Sequence, residues 1–256
     1  MKKLLILAVV LLAVTLSAGS ALAATLTVRA DNWPPFNGDP KSAKPGYMIE
    51  VLKAIFEPQG VQVDYQTMPW NRSKDEVKSG KYDAMVGADN DEAAGYVVPK
   101  ESFGKFSNCF FVAPSSGWRF QGVDSLKQVK LGVIEGYSYD EQVNAYIKGA
   151  PQGKVIAATG DDALPKLIKM LQAGRIDAVL EDASVLNAAL MANNVPAGQV
   201  VLAGKLGDTR DLNVAFSPAK DTSRKYSEQF SAGIVELRKS GKLKQILDRY
   251  SVKDWK

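Results

Sequence analysis

Two ten-residue phrases, SGKYDAMVGA at 79–88 and AGRIDAVLED at 173–182, share a Gly, a basic residue, one free position, Asp-Ala and an apolar run. Gly80 and Gly174 each follow a stretch of helical character, where a helix closes on a left-handed glycine. The short apolar runs behind them read as buried strands. Each phrase is therefore a helix-to-strand joint, and its use once in each half of the chain confines the fold to an α/β architecture built twice.

The surroundings of the joints extend this reading. TLTVRA, residues 25–30, alternates in the manner of a strand and runs into the turn-forming DNWPPFNGDP. Met48, Val51, Leu52, Ile55 and Phe56 fall on one helical face closed by Pro58 and Gly60, VQVDYQTM is a second strand, and a short helix from about Arg72 leads to Gly80. The pattern restarts at KLGVIEG (130–136), followed by a polar stretch from Ser138 that can open a helix, the strand KVIAAT, an amphipathic helix through Leu164, Leu167, Ile168 and Leu171, and the second joint. Each half is thus β-α-β-α-β, the half-unit of a doubly wound fold. Two C-terminal amphipathic stretches, through Tyr226, Phe230, Ile234 and Leu237 and then Leu243, Ile246, Leu247 and Tyr250, have no sheet of their own and need an earlier half to bury against.

Composition narrows the chemistry. Residues 1–23 combine Lys2 and Lys3, a largely apolar stretch from Leu4 to Leu16 and a small-x-small Ala21-Leu22-Ala23, the pattern of a secretory signal peptide. Its removal leaves 30 basic against 28 acidic residues, scattered without the stripe that a phosphate backbone requires, so no nucleic-acid partner is expected. Cys109 is the only cysteine and there is no histidine, which removes intramolecular disulfides, His-based triads and Cys/His zinc sites. No GxGxxG and no P-loop occurs, and neither cofactor nor metal is expected.

NWPPFN, the helix after Gly46, SGKYDAMVG, FSNCFFV, LKQVKLGVIEGYS, AGRIDAVLED and ELRKSGKLKQILDRY together resemble the family 3 extracellular solute-binding proteins, in that family's order and over nearly all of the chain after residue 23. The resemblance implies a two-lobed periplasmic-binding-protein fold of type II. Lobe 1 would comprise 24–111 and 213–256 and lobe 2 would comprise 112–212. Crossing segments are expected near Cys109–Ala113 and Leu212–Ala215. It also implies a periplasmic monomer, without catalytic activity, that binds a small polar solute, an amino acid or a relative of one, for an ABC permease of the inner membrane.

The same resemblance points to Asp182 as the carboxylate that receives a solute ammonium group; as a plain residue, Asp182 also reads as the cap of a helix beginning near Ala183. Trp33 and Phe36, around Pro34-Pro35, match the position of an aromatic ring presented to the solute, with core packing the alternative for Phe36. Gly87 ends a strand where a solute could approach the backbone. Gly136, Tyr137 and Ser138 lie between a strand and a helix, where free N–H groups could bind an anion; the family often has Gly-Thr here, and Tyr137 departs from it. Amino-acid receptors of the family usually carry an Arg after a Glu beyond the first joint, but Ala93 follows Glu92. Arg72 is the nearest substitute for gripping a carboxylate, its alternative being an exposed residue of a helix's first turn. Asp83 and Asp177 read as structural. Two other functions stay open: a cyclohexadienyl-dehydratase-like enzyme using Glu181 as an acid, and a sensing subunit for a membrane signalling partner.

Overall fold

The computed structural model describes residues 24–196 and 198–256, so the signal-peptide reading of 1–23 lies outside the described residues. The first sheet takes β1 (Ala24–Ala30), β2 (Val61–Thr67), β3 (Ala84–Ala88), β4 (Gly104–Phe106) and, from far along the chain, β10 (Arg210–Phe216). The second takes β5 (Asn108–Val112), β6 (Leu131–Ile134), β7 (Val155–Ala158), β8 (Ala178–Asp182) and β9 (Val201–Lys205). Their spatial orders are β2-β1-β3-β10-β4 and β7-β6-β8-β5-β9. In each sheet three parallel strands are followed by two antiparallel ones, the first of which arrives by crossing from the other half.

The helices fall where the apolar spacing sets them: α1 (Tyr47–Phe56), α2 (Trp70–Lys78), α3 (Glu141–Gly149), α4 (Ala163–Gln172), α5 (Ala183–Ala192), α6 (Thr222–Lys239) and α7 (Lys242–Arg249). Met48, Val51, Leu52, Ile55 and Phe56 of α1 are all buried, and Phe230, Ile234, Leu243 and Leu247 of the C-terminal helices join the same core. The C-terminal helices therefore cover the first sheet. α2 starts two residues before the expected Arg72, because Trp70 is buried and belongs to the helix's inner face. α3 starts at Glu141, three residues beyond Ser138, because Asp140 supplies the cap by accepting from Val143 N at 2.7 Å.

The repeated phrase has a physical explanation. Gly80 and Gly174 hold φ of 84° and 66°, the left-handed turn that closes a helix at little steric cost only for glycine. Three residues on, each aspartate accepts a backbone N–H from the neighbouring parallel segment: Asp83 from Thr27 at 2.8 Å and Asp177 from Lys130 at 2.7 Å. Both bonds fix the strand leaving the joint against its neighbour, so both aspartates are structural. Asp83 is further paired with Lys220 at 2.8 Å, which together with the bonds from Thr27 holds its carboxyl below the usual range although burial opposes this.

The sheets hand the chain over between Phe106 and Asn108 and again between Lys205 and Arg210. These passages precede the positions near Cys109–Ala113 and Leu212–Ala215 expected from the sequence. The reason is that Cys109–Val112 are already interior strand residues paired on both sides, and Leu212–Ala215 already belong to β10, Leu212 paired with β4 and Asn213–Ala215 with β3. Cys109 is buried in β5, where burial raises its thiol pKa.

Candidate functional site

Parallel strands of an α/β sheet present ligand-binding loops at their C-terminal ends. Here β1 runs into Asp31 and Trp33, β2 into Trp70, β3 into Glu92, and β6 of the second sheet into Gly136, Tyr137 and Ser138. These loops face one another. The cavity between them is lined by Asp31, Trp33, Trp70, Gly87, Glu92, Phe106, Asn108, Tyr137 and Ser138. An adjoining, more apolar chamber shares Asp31, Trp33 and Tyr137 with it and is walled by Leu164, Val185 and Ala188 among others.

The two lobes are in contact around this space. Tyr137 Oη donates to the Asp31 carboxylate, Trp33 Nε1 donates to Glu181 Oε1 at 2.9 Å, Lys74 Nζ donates to the Gly136 carbonyl at 3.2 Å, and Asn32 Nδ2 donates to the Asp161 carbonyl at 3.2 Å. Tyr137 also meets the Trp33 ring edge-on at 6.4 Å. This is the closed arrangement of the cleft.

Electrostatically the cavity is acidic. Burial pushes the Asp31 carboxyl up to about 6, with the Tyr137 hydrogen bond opposing the shift. Glu92 is raised too, mainly by burial, although Trp70 Nε1 donates to it at 2.7 Å and Lys74 lies 3.5 Å away. Glu181 is 2% exposed and is pushed up to about 8 by burial, although it accepts from Trp33 and from its neighbour's N–H at 2.8 Å. Carboxylates this strongly desolvated lack a full complement of opposite charge. None of the side chains lining the central cavity is a Lys or Arg. Among the described residues no three His, Cys, Asp or Glu side chains converge as metal ligands would.

The residues singled out in the sequence divide. Trp33, Gly87, Tyr137 and Ser138 line the cavity. Gly87 holds φ of 93°, and a Cβ there would face Asn37 Oδ1 at 3.5 Å and the Trp33 ring at 3.6 Å, so its bare backbone forms part of the wall. Gly136 does not line it but packs closely against the other lobe, where a Cβ would come 2.5 Å from Asn71 Nδ2. No helix dipole serves an anion at 136–138, because α3 begins later and its N-terminus is capped by Asp140. Phe36 is a correction: it is 2% exposed and stacks behind Trp33 with ring centroids 4.3 Å apart, holding that ring in place without reaching the cavity.

Asp182 and Arg72 are corrections as well. Asp182 Oδ1 caps α5, accepting from Ser184 N at 2.7 Å and Val185 N at 3.4 Å, while Oδ2 accepts from Ser107 N at 2.9 Å in the first crossing. With three backbone donors and 4% exposure it lines neither chamber. Arg72 points to solvent with 58% of its side chain exposed and pairs with Glu76 at 2.9 Å, one helical turn on. Asp31, Trp70, Glu92, Phe106 and Asn108 also line the cavity, although the sequence does not single them out as site residues. Asp31 and Trp70 each sit just beyond a strand's C-terminal end, which is the signal that could have found them.

The comparisons with known proteins agree with this geometry. The sequence model of bacterial extracellular solute-binding proteins, family 3, matches residues 26–93. The L-arginine-binding protein of Pseudomonas aeruginosa is 26% identical over 229 residues, covering 85% of this chain and 84% of that protein. Among solved structures, a substrate-binding protein of an ABC uptake transporter from Streptococcus pneumoniae with bound histidine superposes with a TM-score of 0.73 at 20% identity, covering 88% and 92% of the two chains. A histidine kinase sensor domain with similarity to periplasmic binding proteins gives a TM-score of 0.69 at 22% identity, covering 88% and 95%. The fold is the two-lobed α/β fold of type II periplasmic binding proteins, as the sequence phrases imply.

Proposed function

We propose that this chain, whose residues 26–93 match the sequence model of family 3 extracellular solute-binding proteins, captures a small cationic solute, an amino acid or a relative of one, between its lobes and presents the closed form to an ABC permease. The observation that carries the reading is the central cavity, formed by loops of both lobes and lined by two carboxylates, four aromatic rings and no basic side chain. A cation entering it relieves the desolvated Asp31 and Glu92 and meets aromatic faces that attract positive charge. Cleft closure is then a population shift set by the solute's preference for the state in which both lobes touch it.

In this reading residues 1–23 direct export to the periplasm and are removed, and the protein acts as a monomer. The lobes divide at Ser107 and near Asp208, where the chain passes between the sheets. The similarity to a kinase sensor domain keeps a signalling partner as the competing destination of the closed form.

The dehydratase reading is favoured by the raised Glu181 carboxyl and opposed by charge. Its substrates carry carboxylates, which an acidic cavity repels.

A thermal-shift screen against amino acids, amines and dicarboxylates tests the proposal. A basic solute at a hundredfold excess over its Kd is expected to add about 2.7 kcal/mol to stability. Stabilisation by dicarboxylates with silence from every basic solute would overturn it.

A further inference from the structure

Resting on the cation-binding reading above, we propose that the solute is an organic cation without a carboxylate, an alkylamine or alkylguanidine, and that the site discriminates against the corresponding α-amino acid. Three features of the cavity point this way.

The first is the bookkeeping of nearby cations. A bound carboxylate is normally held by a guanidinium or by several N–H donors, and each cation near this cavity is already engaged. Arg72 lies outside on Glu76. Arg210 pairs with Asp89, its guanidinium 4.8 Å from the Phe106 ring centroid. Lys74 bridges Glu92 and the Gly136 carbonyl across the seam. The position after Glu92 is the buried Ala93, which can donate nothing from its side chain.

The second is the lack of a free helix dipole. The helix that follows the Gly136–Ser138 loop carries its own carboxylate cap in Asp140, so its dipole is already answered.

The third is the wall itself. Trp33, Trp70, Phe106 and Tyr137 supply ring faces or edges from both lobes, an enclosure suited to an alkylammonium or guanidinium desolvated on several sides. A carboxylate in the same enclosure would lie beside Asp31 and Glu92, with the nearby Lys74 and Arg210 already paired to Glu92 and Asp89.

Calorimetric titration of the purified protein with matched pairs tests this: arginine against agmatine, lysine against cadaverine, histidine against histamine. In at least one pair the amine is expected to bind at least tenfold more tightly than the amino acid. Glu92→Gln, which can still accept from Trp70, is expected to weaken that amine at least tenfold, and Asp31→Asn to do the same by a second route. An amino acid that binds as tightly as its amine, or more tightly, overturns this inference and leaves the cation-binding reading intact. Silence of all six probes overturns both. Full amine affinity in both variants overturns the roles given to the two carboxylates.

Discussion

Replacing Asp182 with alanine separates a structural carboxylate from a ligand-binding one. In the wild-type chain its carboxylate ends the second joint, caps α5 through Ser184 N and Val185 N, and ties the first crossing through Ser107 N. Loss of a helix cap costs about 1 kcal/mol. Leaving the half-buried Ser107 N–H without its acceptor costs about 1–3 kcal/mol more. Against this, burial raises the Asp182 carboxyl, so removing it returns part of a desolvation cost. The expected net loss is about 2 kcal/mol, or a fall in Tm of about 4–8 °C for a chain of this size. Asp182→Asn keeps one acceptor oxygen for the cap and should recover about half of the loss. Solute affinity, measured by calorimetry well below Tm, should change less than about threefold, because Asp182 lines neither chamber. Scanning calorimetry showing an unchanged Tm, together with a more than tenfold loss of affinity, would refute the argument and return Asp182 to the solute.

Two further outcomes follow from the seam. Glu181, faced by the Trp33 indole, the Asp182 and Asp31 carboxylates and the Tyr137 and Tyr139 hydroxyls, has its pKa pushed up to about 8 from an ordinary 4.5. The folded state therefore holds a proton that the unfolded chain releases, so the group's contribution is complete below about pH 4.5 and is lost as pH rises through about 8. Glu181→Gln should flatten that part of a Tm-against-pH profile, and an unaltered slope would show the carboxyl to be ionised throughout. Tyr137→Phe removes a cross-lobe hydrogen bond to a carboxylate, of a kind worth about 1.5–3 kcal/mol, and should weaken solute binding at least about tenfold while enlarging the radius of gyration in small-angle scattering. A scattering curve and affinity both equal to wild type would rule out Tyr137 as a clasp.

Local signals carried most of the architecture. The apolar faces of α1, α4, α6 and α7 and the parallel strands of both halves could be read from spacing, because each element's burial is written in its own ten residues. The antiparallel strands were harder. FSNCFFV and LNVAF are short apolar runs whose pairing depends on segments far away, so the crossings fall earlier than their sequence suggests. The site was harder still. Trp33 could be singled out from its rigid turn, but Phe36 beside it has the same composition and the opposite destination. Glu92 and Trp70 meet only because their loops leave neighbouring parts of one sheet, and Tyr137 joins them only when the second lobe closes. Convergence of that kind has no period in the sequence.

The second sheet is assembled from one unbroken stretch, whereas the first is completed only by β10, in which Asn213 reaches back 125 residues to Ala88. For a chain emerging N-terminus first, the inner unit can finish before the outer one. Until β10 arrives, the free edge of β3 remains an open template for intermolecular pairing. Mutations that slow completion of the inserted unit should therefore show up as aggregation of the outer one, in which no residue has been changed.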